Sequence, residues 1–489
     1  MGIPRKQKPS PAEGELLFQL DPEPLEECGT AYGGIPLFLQ AVRSLDVPGL
    51  VKQHVQIKQR QRGLDEAGYV ESFLVLNALG GDCLEDFDRL REDEGLSAML
   101  GHEMPSPEAA RKFLYQFHDE TSLEAAQKEL PVGRVSYIAE ESAPLRGLAQ
   151  VNQEMVQEVG RRCPDRKIAT IDLDATVIES YKREAKPTYP GGSGYQPMLA
   201  LWAEMNLVVA DEFRDGNVPA QKEPLRVARR AFQALPETVN EYYFRGDSAC
   251  WEKELLRWLR DEKRADGPQG VMTFGISVRM TPNLKKHIAR LGESLWKAYR
   301  EDAEVITECA DLLNYWPEEE DRPEGAGPLR YVAIRMRKRQ GELFADGSEV
   351  KYFVVGSNRW DWDAVRLLRW QREKAGTIEA LHDVLKNDLA SGGDAVRAAG
   401  RQRGVAADGG DDARRADGAE AVGVAGAVAN GAAEAAAVSD LLLAGKADVA
   451  CAADLAAGAA AARAIGGVDR DAGLAADPDA GIAPLTDGL

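Results

Sequence analysis

The chain has 489 residues, of which 44% are hydrophobic and 29% are charged, and its formal net charge at pH 7 is −20. This length allows two or three domains with a sizeable core, and the net charge argues against a protein that coats nucleic acid by bulk charge, although a local basic groove on an acidic body is compatible with it. The lack of an apolar run of about 18 residues predicts no membrane span. The six cysteines are far apart and form no Cys-x-x-Cys pair, which predicts a reducing cytoplasm and no zinc site.

Composition and periodicity divide the chain into regions. Residues 1–34 are rich in Pro and Glu and are expected to be flexible. Over 35–150, apolar residues recur at three- and four-residue spacing, which predicts an all-α region for DNA binding or dimerisation. Pro105-Ser106-Pro107 predicts a capped helix start there. A helix-turn-helix-like unit and a plain helical bundle both fit this pattern.

The last hundred residues have a different composition. Residues 391–489 contain no aromatic residue, His or Met, and Ala, Gly and Asp dominate. Such a segment buries little apolar area against its ordering entropy, so we expect a disordered or low-complexity tail. A genuine tail and translation out of frame are equally compatible with this composition.

Between 165 and 390 the predicted strands and helices interleave. The early strands form a hairpin around Met205-Asn206, which favours an α/β fold with a mixed sheet over a fully parallel one.

The first of these strands carries two carboxylates. Asp172 and Asp174 alternate with Ile171, Leu173 and Ala175, so both acids fall on one face. Burial of an ionised carboxylate is costly unless a divalent metal, an Arg or a Lys accompanies it. An edge strand with two solvated acids is the simpler alternative.

Two more acids complete a candidate site. Asp247 ends a later strand, and Glu379 lies beside the apolar stripe of the last patterned helix. Two strand carboxylates and one helix carboxylate can converge on a pair of Mg²⁺ ions. Taken singly, Asp247 can cap the next helix and Glu379 can be a surface residue.

The combined motifs resemble those of a known family. They are IDLDATVIESYKREAKPTY, GYQPMLALWAEMNLVVADEFRDGNVPA, YYFRGDSAC and REKAGTIEALHDVLKNDL. Together they resemble the DDE transposases of bacterial insertion sequences, which have an RNase H-like core. The resemblance implies a catalytic core over 165–390 with a β-rich insertion at about 270–357. It also implies that Asp174, Asp247 and Glu379 are the catalytic, metal-binding acids, with Asp172 in reserve for the first position.

One branch of that family has a Tyr–Arg–Glu–Lys signature on the last helix. Glu379 and Lys386 keep its spacing, whereas Arg372 stands at the Tyr position and Ala375 at the Arg position. We therefore expect Arg372 and Lys374 to supply the phosphate-binding charge.

The resemblance implies a metal-dependent DNA transposase that acts as an endonuclease and strand transferase. With two Mg²⁺ or Mn²⁺ ions, it would cut the ends of a mobile element by hydrolysis and join the 3′-hydroxyls to target DNA. The implied partners are double-stranded DNA, as terminal inverted repeats and target, and a second copy of the chain in a synaptic homodimer. The implied location is the bacterial cytoplasm, at the nucleoid. The expected DNA-binding residues are Lys182, Arg183, Lys186, Arg245, Arg335, Arg337, Arg372, Lys374 and Lys386.

Two other functions fit parts of the sequence. Asp172-Leu173-Asp174-Ala175-Thr176 matches the DxDxT element of haloacid-dehalogenase-type phosphatases, in which Asp172 would be a nucleophile. That fold requires a parallel, doubly wound sheet. The unusual tail also suits a catalytically disabled transposase remnant that still binds DNA.

Overall fold

The computed structural model describes residues 29–388, apart from 59–62, 82, 120, 122–123, 126–127, 129, 131–135, 181–184, 314, 316, 318–321 and 342. Of the predicted segments, 1–28 and the tail 391–489 lie outside the described residues, as do Lys182 and Arg183.

The N-terminal part is helical, as predicted. Its helices are α1 (Ile35–Ser44), α2 (Val47–His54), α3 (Glu66–Ala78), α4 (Asp86–Arg91), α5 (Glu94–Leu100) and α6 (Pro107–Tyr115). Buried aromatic rings join α3 to α6, because Phe113 lies with its ring centroid 6.4 Å from that of Phe73 and 5.3 Å from that of Phe117. The predicted start of α6 is confirmed: the Ser106 hydroxyl accepts a hydrogen bond from the Ala109 amide, and a proline opens the helix.

Helix α7 (Ala143–Arg162) connects the helical part to the sheet. It begins at the capping residue Ser142 and packs against α2 and against strand β6 (Leu207–Glu212). This helix runs through position 150, so the helical and α/β parts share one continuous apolar core.

Nine of the described strands form one mixed sheet with the order β6-β5-β1-β7-β8-β12-β11-β10-β9. Besides β6, they are β1 (Ile168–Ala175), β5 (Met198–Trp202), β7 (Glu241–Gly246), β8 (Met272–Ser277), β9 (Lys297–Glu301), β10 (Val305–Asp311), β11 (Arg330–Lys338) and β12 (Val350–Ser357). A second, small sheet contains β2 (Ile178–Glu179), β3 (Lys186–Pro187) and β4 (Ser193–Tyr195).

The strand directions confirm the predicted mixed sheet. Strands β1, β7 and β8 are parallel, whereas β5 and β6 are antiparallel to their neighbours. The β5–β6 hairpin turns at Asn206, whose positive φ of 52° suits an asparagine. Strands β9 to β12 lie in the predicted insertion and extend the same sheet from β8 by antiparallel pairing.

Helices cover both faces of the sheet. Helix α8 (Pro224–Ala234) packs on β1, β5 and β6, and α9 (Lys253–Arg260) packs on α8 and β8. Helix α10 (Pro282–Ile288) follows β8. Helix α11 (Ala364–Arg372) packs on β8 and β10, and α12 (Ile378–Asp383) packs on β1 and β5.

The predicted closing helix is interrupted. A 3₁₀ turn at Glu373–Gly376 separates α11 from α12, and a π-helical turn at Val384–Asp388 follows α12. The Thr377 hydroxyl donates to the carbonyl of Lys374 at 3.1 Å and also to Asp172. A threonine that bonds to the backbone in this way competes with helical hydrogen bonding, and Gly376 beside it weakens the helix further.

Candidate catalytic site

The first acid of the strand, Asp172, forms a buried ion pair. It lies opposite Arg245 in the parallel β1–β7 register. Two hydrogen bonds of 2.6 and 2.8 Å join their side chains, which are 0% and 2% exposed. Arg245 also donates to the carbonyl of Trp370 at 2.8 Å and to Glu373 at 3.1 Å. The pair therefore ties the central strands to the end of α11, and it leaves Arg245 no surface from which to bind a DNA phosphate, contrary to expectation.

The second acid, Asp174, lies two residues further along the same face, where β1 ends. Its side chain is 14% exposed, and its Oδ2 accepts a hydrogen bond from the Nζ of Lys374 at 2.6 Å. Burial alone would lower the pKa of Lys374, but Asp174 and then Asp247 outweigh it, and the net pKa is raised. Lys374 is therefore a buried ammonium group.

Asp247 follows the last residue of β7. Because β1 and β7 are parallel, their carboxyl ends meet at one edge of the sheet, which is where open α/β sheets hold their ligands. Burial, and next the charge of Asp174, raise the pKa of Asp247, so the charge of Asp174 acts on Asp247. The preceding residue must be small, because a Cβ on Gly246 would come within 2.6 Å of the Cβ of Cys250.

One cavity brings the three predicted acids together. Asp174, Asp247 and Glu379 all line a cavity of about 640 Å³ at the carboxyl edge of the parallel strands. They come from two strand ends and a helix that are far apart in the sequence. Part of the cavity wall comes from β11 and β12, through Ile334 and residues 352–355.

The phosphatase alternative is wrong. It requires a parallel sheet around the first strand, but β5 pairs with β1 in the antiparallel direction. It also requires a nucleophilic Asp172, whose side chain is fully buried in the pair with Arg245.

The predicted DNA-binding residues have different environments. Arg372 lines the cavity, with its guanidinium 5.9 Å from the centroid of the Tyr299 ring. Lys186 is exposed on β3, and Lys386 is partly buried. Burial, opposed by Glu179, Asp174 and Asp383, lowers the pKa of Lys386.

Two arginines of β11 are bound to acidic partners. Arg335 is 6% exposed, bonds to Glu293 at 2.7 and 2.8 Å and to Glu308 at 3.0 Å, and lies over the Trp296 ring at 4.3 Å. Arg337 shares Glu308 at 2.8 Å and is partly exposed. Arg335, expected to bind DNA, is therefore not available for a DNA phosphate, because Glu293 and Glu308 neutralise its charge within the insertion.

Two residues of this region were not predicted from the sequence. Arg279 lines the cavity just beyond β8, the next parallel strand. Its position after a parallel strand was the signal that could have identified it. His382 lies one turn after Glu379 and is buried, and burial lowers its pKa to about 4 although Asp174 opposes the shift.

The donor chemistry of the site fits a hard divalent cation. Carboxylate oxygens are the ligands that Mg²⁺ and Mn²⁺ prefer, and a cation beside Asp247 would offset the burial and the charge of Asp174 that raise its pKa. Over the described residues, no group of three or more His, Cys, Asp and Glu side chains is already gathered for a metal ion. Instead, the ammonium of Lys374 supplies the positive charge at Asp174.

Comparison with known proteins assigns the family. A family model described as "Transposase DDE domain group 1" matches residues 30–323. The chain therefore belongs to the DDE transposases, and it is an enzyme of DNA transposition whose family depends on divalent metal ions. Asp174 and Asp247 lie within the matched residues, whereas Glu379 lies beyond them.

Two solved structures are similar at a low level. One is a piggyBac transposase synaptic complex with hairpin DNA, with 13% identity, a TM-score of 0.36, and coverage of 74% of this chain and 70% of that chain. The other is the mariner Mos1 paired end complex with Mg, with 15% identity, a TM-score of 0.12, and coverage of 41% and 59%. A search of curated proteins finds no match. None of the described helices has the length and apolar character needed to cross a membrane.

Proposed function

We propose that Asp174, Asp247 and Glu379 are the catalytic acids of this transposase and that together they hold two Mg²⁺ or Mn²⁺ ions. The observation that carries the proposal is their presence on one cavity at the carboxyl edge of the sheet, where the charge of Asp174 contributes to the raised pKa of Asp247. Asp172 is not the first acid, because it is buried in an ion pair.

The chain's own residues have separable tasks. The three carboxylates would supply the oxygen ligands for the ions, and the bound ions would provide the Lewis acidity that polarises the scissile phosphate and activates the attacking water or hydroxyl. Arg372 and Arg279 place cationic groups on the cavity wall, where they can contact phosphate oxygens. Hydrolysis at the element's ends frees 3′-hydroxyls, which then attack target DNA in line, without a covalent enzyme intermediate.

We infer that the DNA partners are the terminal inverted repeats of a bacterial insertion sequence and its target, and that two copies of the chain hold the two ends. Because the substrate is chromosomal DNA, we expect the enzyme at the nucleoid. Light scattering with and without end DNA tests the dimer, and a 1:1 complex that still joins both ends would exclude it.

The direct test is cleavage of a labelled duplex carrying the inverted repeat that bounds the coding sequence. The parent, Glu379→Gln and the exposed-site control Glu254→Gln are compared in Mg²⁺, Mn²⁺ and EDTA. We expect metal-dependent nicking at the repeat end by the parent and the control, and a loss of at least about 100-fold in Glu379→Gln with DNA binding retained. Equal cleavage by Glu379→Gln would refute its role.

A parent that binds the repeat but does not nick it would instead indicate a disabled copy. Replacing residues 389–489 with the C-terminus of an active relative would then show whether the tail is responsible.

A further inference from the structure

Lys374 is the cation nearest to the first proposed acid. Its Nζ lies 2.6 Å from the Oδ2 of Asp174, and its side chain is only 7% exposed. Asp247 also acts on its pKa, so the ammonium is within the field of both strand carboxylates. A lysine so deeply buried is stable as a cation only because these carboxylates accompany it.

The ammonium and a metal ion need the same oxygens. Asp174 has two carboxylate oxygens, of which Oδ2 is bound to Lys374 and Oδ1 accepts from the amide of Ala175 at 3.0 Å. A divalent cation that binds at Oδ2 therefore competes with the ammonium for that oxygen. Once the metal is bound, it also repels the ammonium at short range.

The Lys374 side chain can reach the cavity from its position in the chain. It lies in the 3₁₀ turn Glu373–Gly376 between α11 and α12, and it lines the catalytic cavity. The lysine side chain has four rotatable bonds and a compact charge. Its ammonium can therefore turn from Asp174 toward the cavity while Arg245 continues to hold the turn through Glu373 and Trp370.

We propose that Lys374 is an internal counter-cation of the catalytic site. It binds Asp174 while the site lacks metal, and it leaves Asp174 when a divalent cation binds. The released ammonium then faces the cavity, where a DNA phosphate replaces the lost carboxylate as its partner. This inference rests on the proposed function, because it requires Asp174 to be a metal ligand.

The first test measures metal affinity directly. Mn²⁺ binding to the full chain, without DNA, is followed by calorimetry for the parent, Lys374→Met and Lys112→Met. Lys112 is 70% exposed on α6 and pairs only with Glu108 among the described contacts, so its substitution is the matched control. Removing the competing ammonium should tighten Mn²⁺ binding about 10- to 100-fold, the factor that corresponds to one charged hydrogen bond. Lys112→Met should bind Mn²⁺ like the parent.

Thermal unfolding supplies an independent readout. In EDTA, Lys374→Met should unfold at a lower temperature than the parent, because Asp174 and Asp247 are then buried without their counter-cation. In saturating Mn²⁺ the difference should shrink or reverse, since tighter binding stabilises the folded state more. A variant with equal or weaker Mn²⁺ binding would overturn the inference and make Lys374 part of the metal site's support.

The parent chain gives a test that needs no variant. Acylation of lysines by an N-hydroxysuccinimide ester, mapped by mass spectrometry, should be slow at Lys374 in EDTA. It should be several-fold faster with Mn²⁺, while Lys112 reacts equally in both. Unchanged or slower acylation of Lys374 with Mn²⁺ would refute its release.

The outcomes separate this inference from the proposed function. A parent that binds no Mn²⁺ would overturn both. A parent that binds and cleaves normally, while Lys374 neither competes with Mn²⁺ nor changes its reactivity, would overturn the counter-cation alone.

Discussion

The two acids of β1 should respond oppositely to the same chemical change. Asp172→Asn and Asp174→Asn each remove one negative charge and preserve side-chain size. Asp172 is fully buried against Arg245, with hydrogen bonds of 2.6 and 2.8 Å. Among the described contacts, loss of its charge leaves the buried Arg245 with one acidic partner, Glu373 at 3.1 Å, and Glu373 is 65% exposed.

The expected magnitudes differ accordingly. Breaking a buried ion pair from one side costs about 3–5 kcal/mol. For a large domain this corresponds to a fall in Tm of roughly 10 °C, at about 2–4 °C for each kcal/mol. Asp174 is closer to solvent, and after Asp174→Asn the Lys374 ammonium still has Asp247 nearby. We therefore expect a smaller fall in Tm than for Asp172→Asn, with metal-dependent cleavage abolished.

The assay pairs thermal unfolding in EDTA with end cleavage in Mg²⁺ at a temperature at which all variants are folded. A double variant, Asp172→Asn with Arg245→Met, removes both charges and should lose less stability than the two single losses added. If Asp172→Asn kept the parent's Tm while Asp174→Asn lost about 10 °C, the structural and catalytic roles would be reversed.

Three further changes follow from the charges in the structure. Asp247→Asn should abolish cleavage yet raise Tm in EDTA at pH 7. Burial and the charge of Asp174 raise the pKa of Asp247, so the ionised carboxylate lowers stability above that pKa. An unchanged or lower Tm would contradict this prediction. His102→Gln should lose most stability in acid. Burial lowers the pKa of His102, but the hydrogen bond and the charge of Glu71, 3.7 Å away, outweigh the effect of burial, and the net pKa of His102 is raised. The stabilisation is then full below the ordinary pKa of about 6.5 and lost as pH rises through the folded value, so equal Tm differences at about pH 5.5 and 9 would refute it. Arg335→Met should lower Tm without weakening binding of end DNA, because two glutamates inside the insertion neutralise the charge of Arg335. If the variant instead showed a reduced salt dependence of DNA binding, Arg335 would be a phosphate ligand.

The sequence predicted the parts of this fold that local pattern controls. Alternation placed Asp172 and Asp174 on one face of β1, and Asn206 marked the hairpin that made the sheet mixed. Ser106 and its flanking prolines predicted the capped start of α6. Each of these features depends on residues within a few positions of one another.

Long-range pairing could not be predicted in the same way. Two acids on one strand face look equivalent, and only the β1–β7 register places Arg245 against Asp172. The contact between Lys374 and Asp174 spans 200 positions. Arg335 looked available for DNA because its acidic partner Glu293 lies 42 positions upstream.

Strands β11 and β12 help to line the cavity that holds the three proposed catalytic acids. Strands β9 to β12 continue the core sheet from β8, and β12 pairs with β8 from Ser277 to Gly275. This pairing brings residues 352–355 to the cavity wall opposite the acids. Gly356 of β12 packs so closely on Trp251 that a Cβ at this position would come within 2.3 Å of the indole ring. The position of the wall relative to Asp247 is therefore set by hydrogen bonds and close packing. We therefore expect that changes in β11 or β12 alter the shape of the proposed catalytic cavity, even when all three acids are retained.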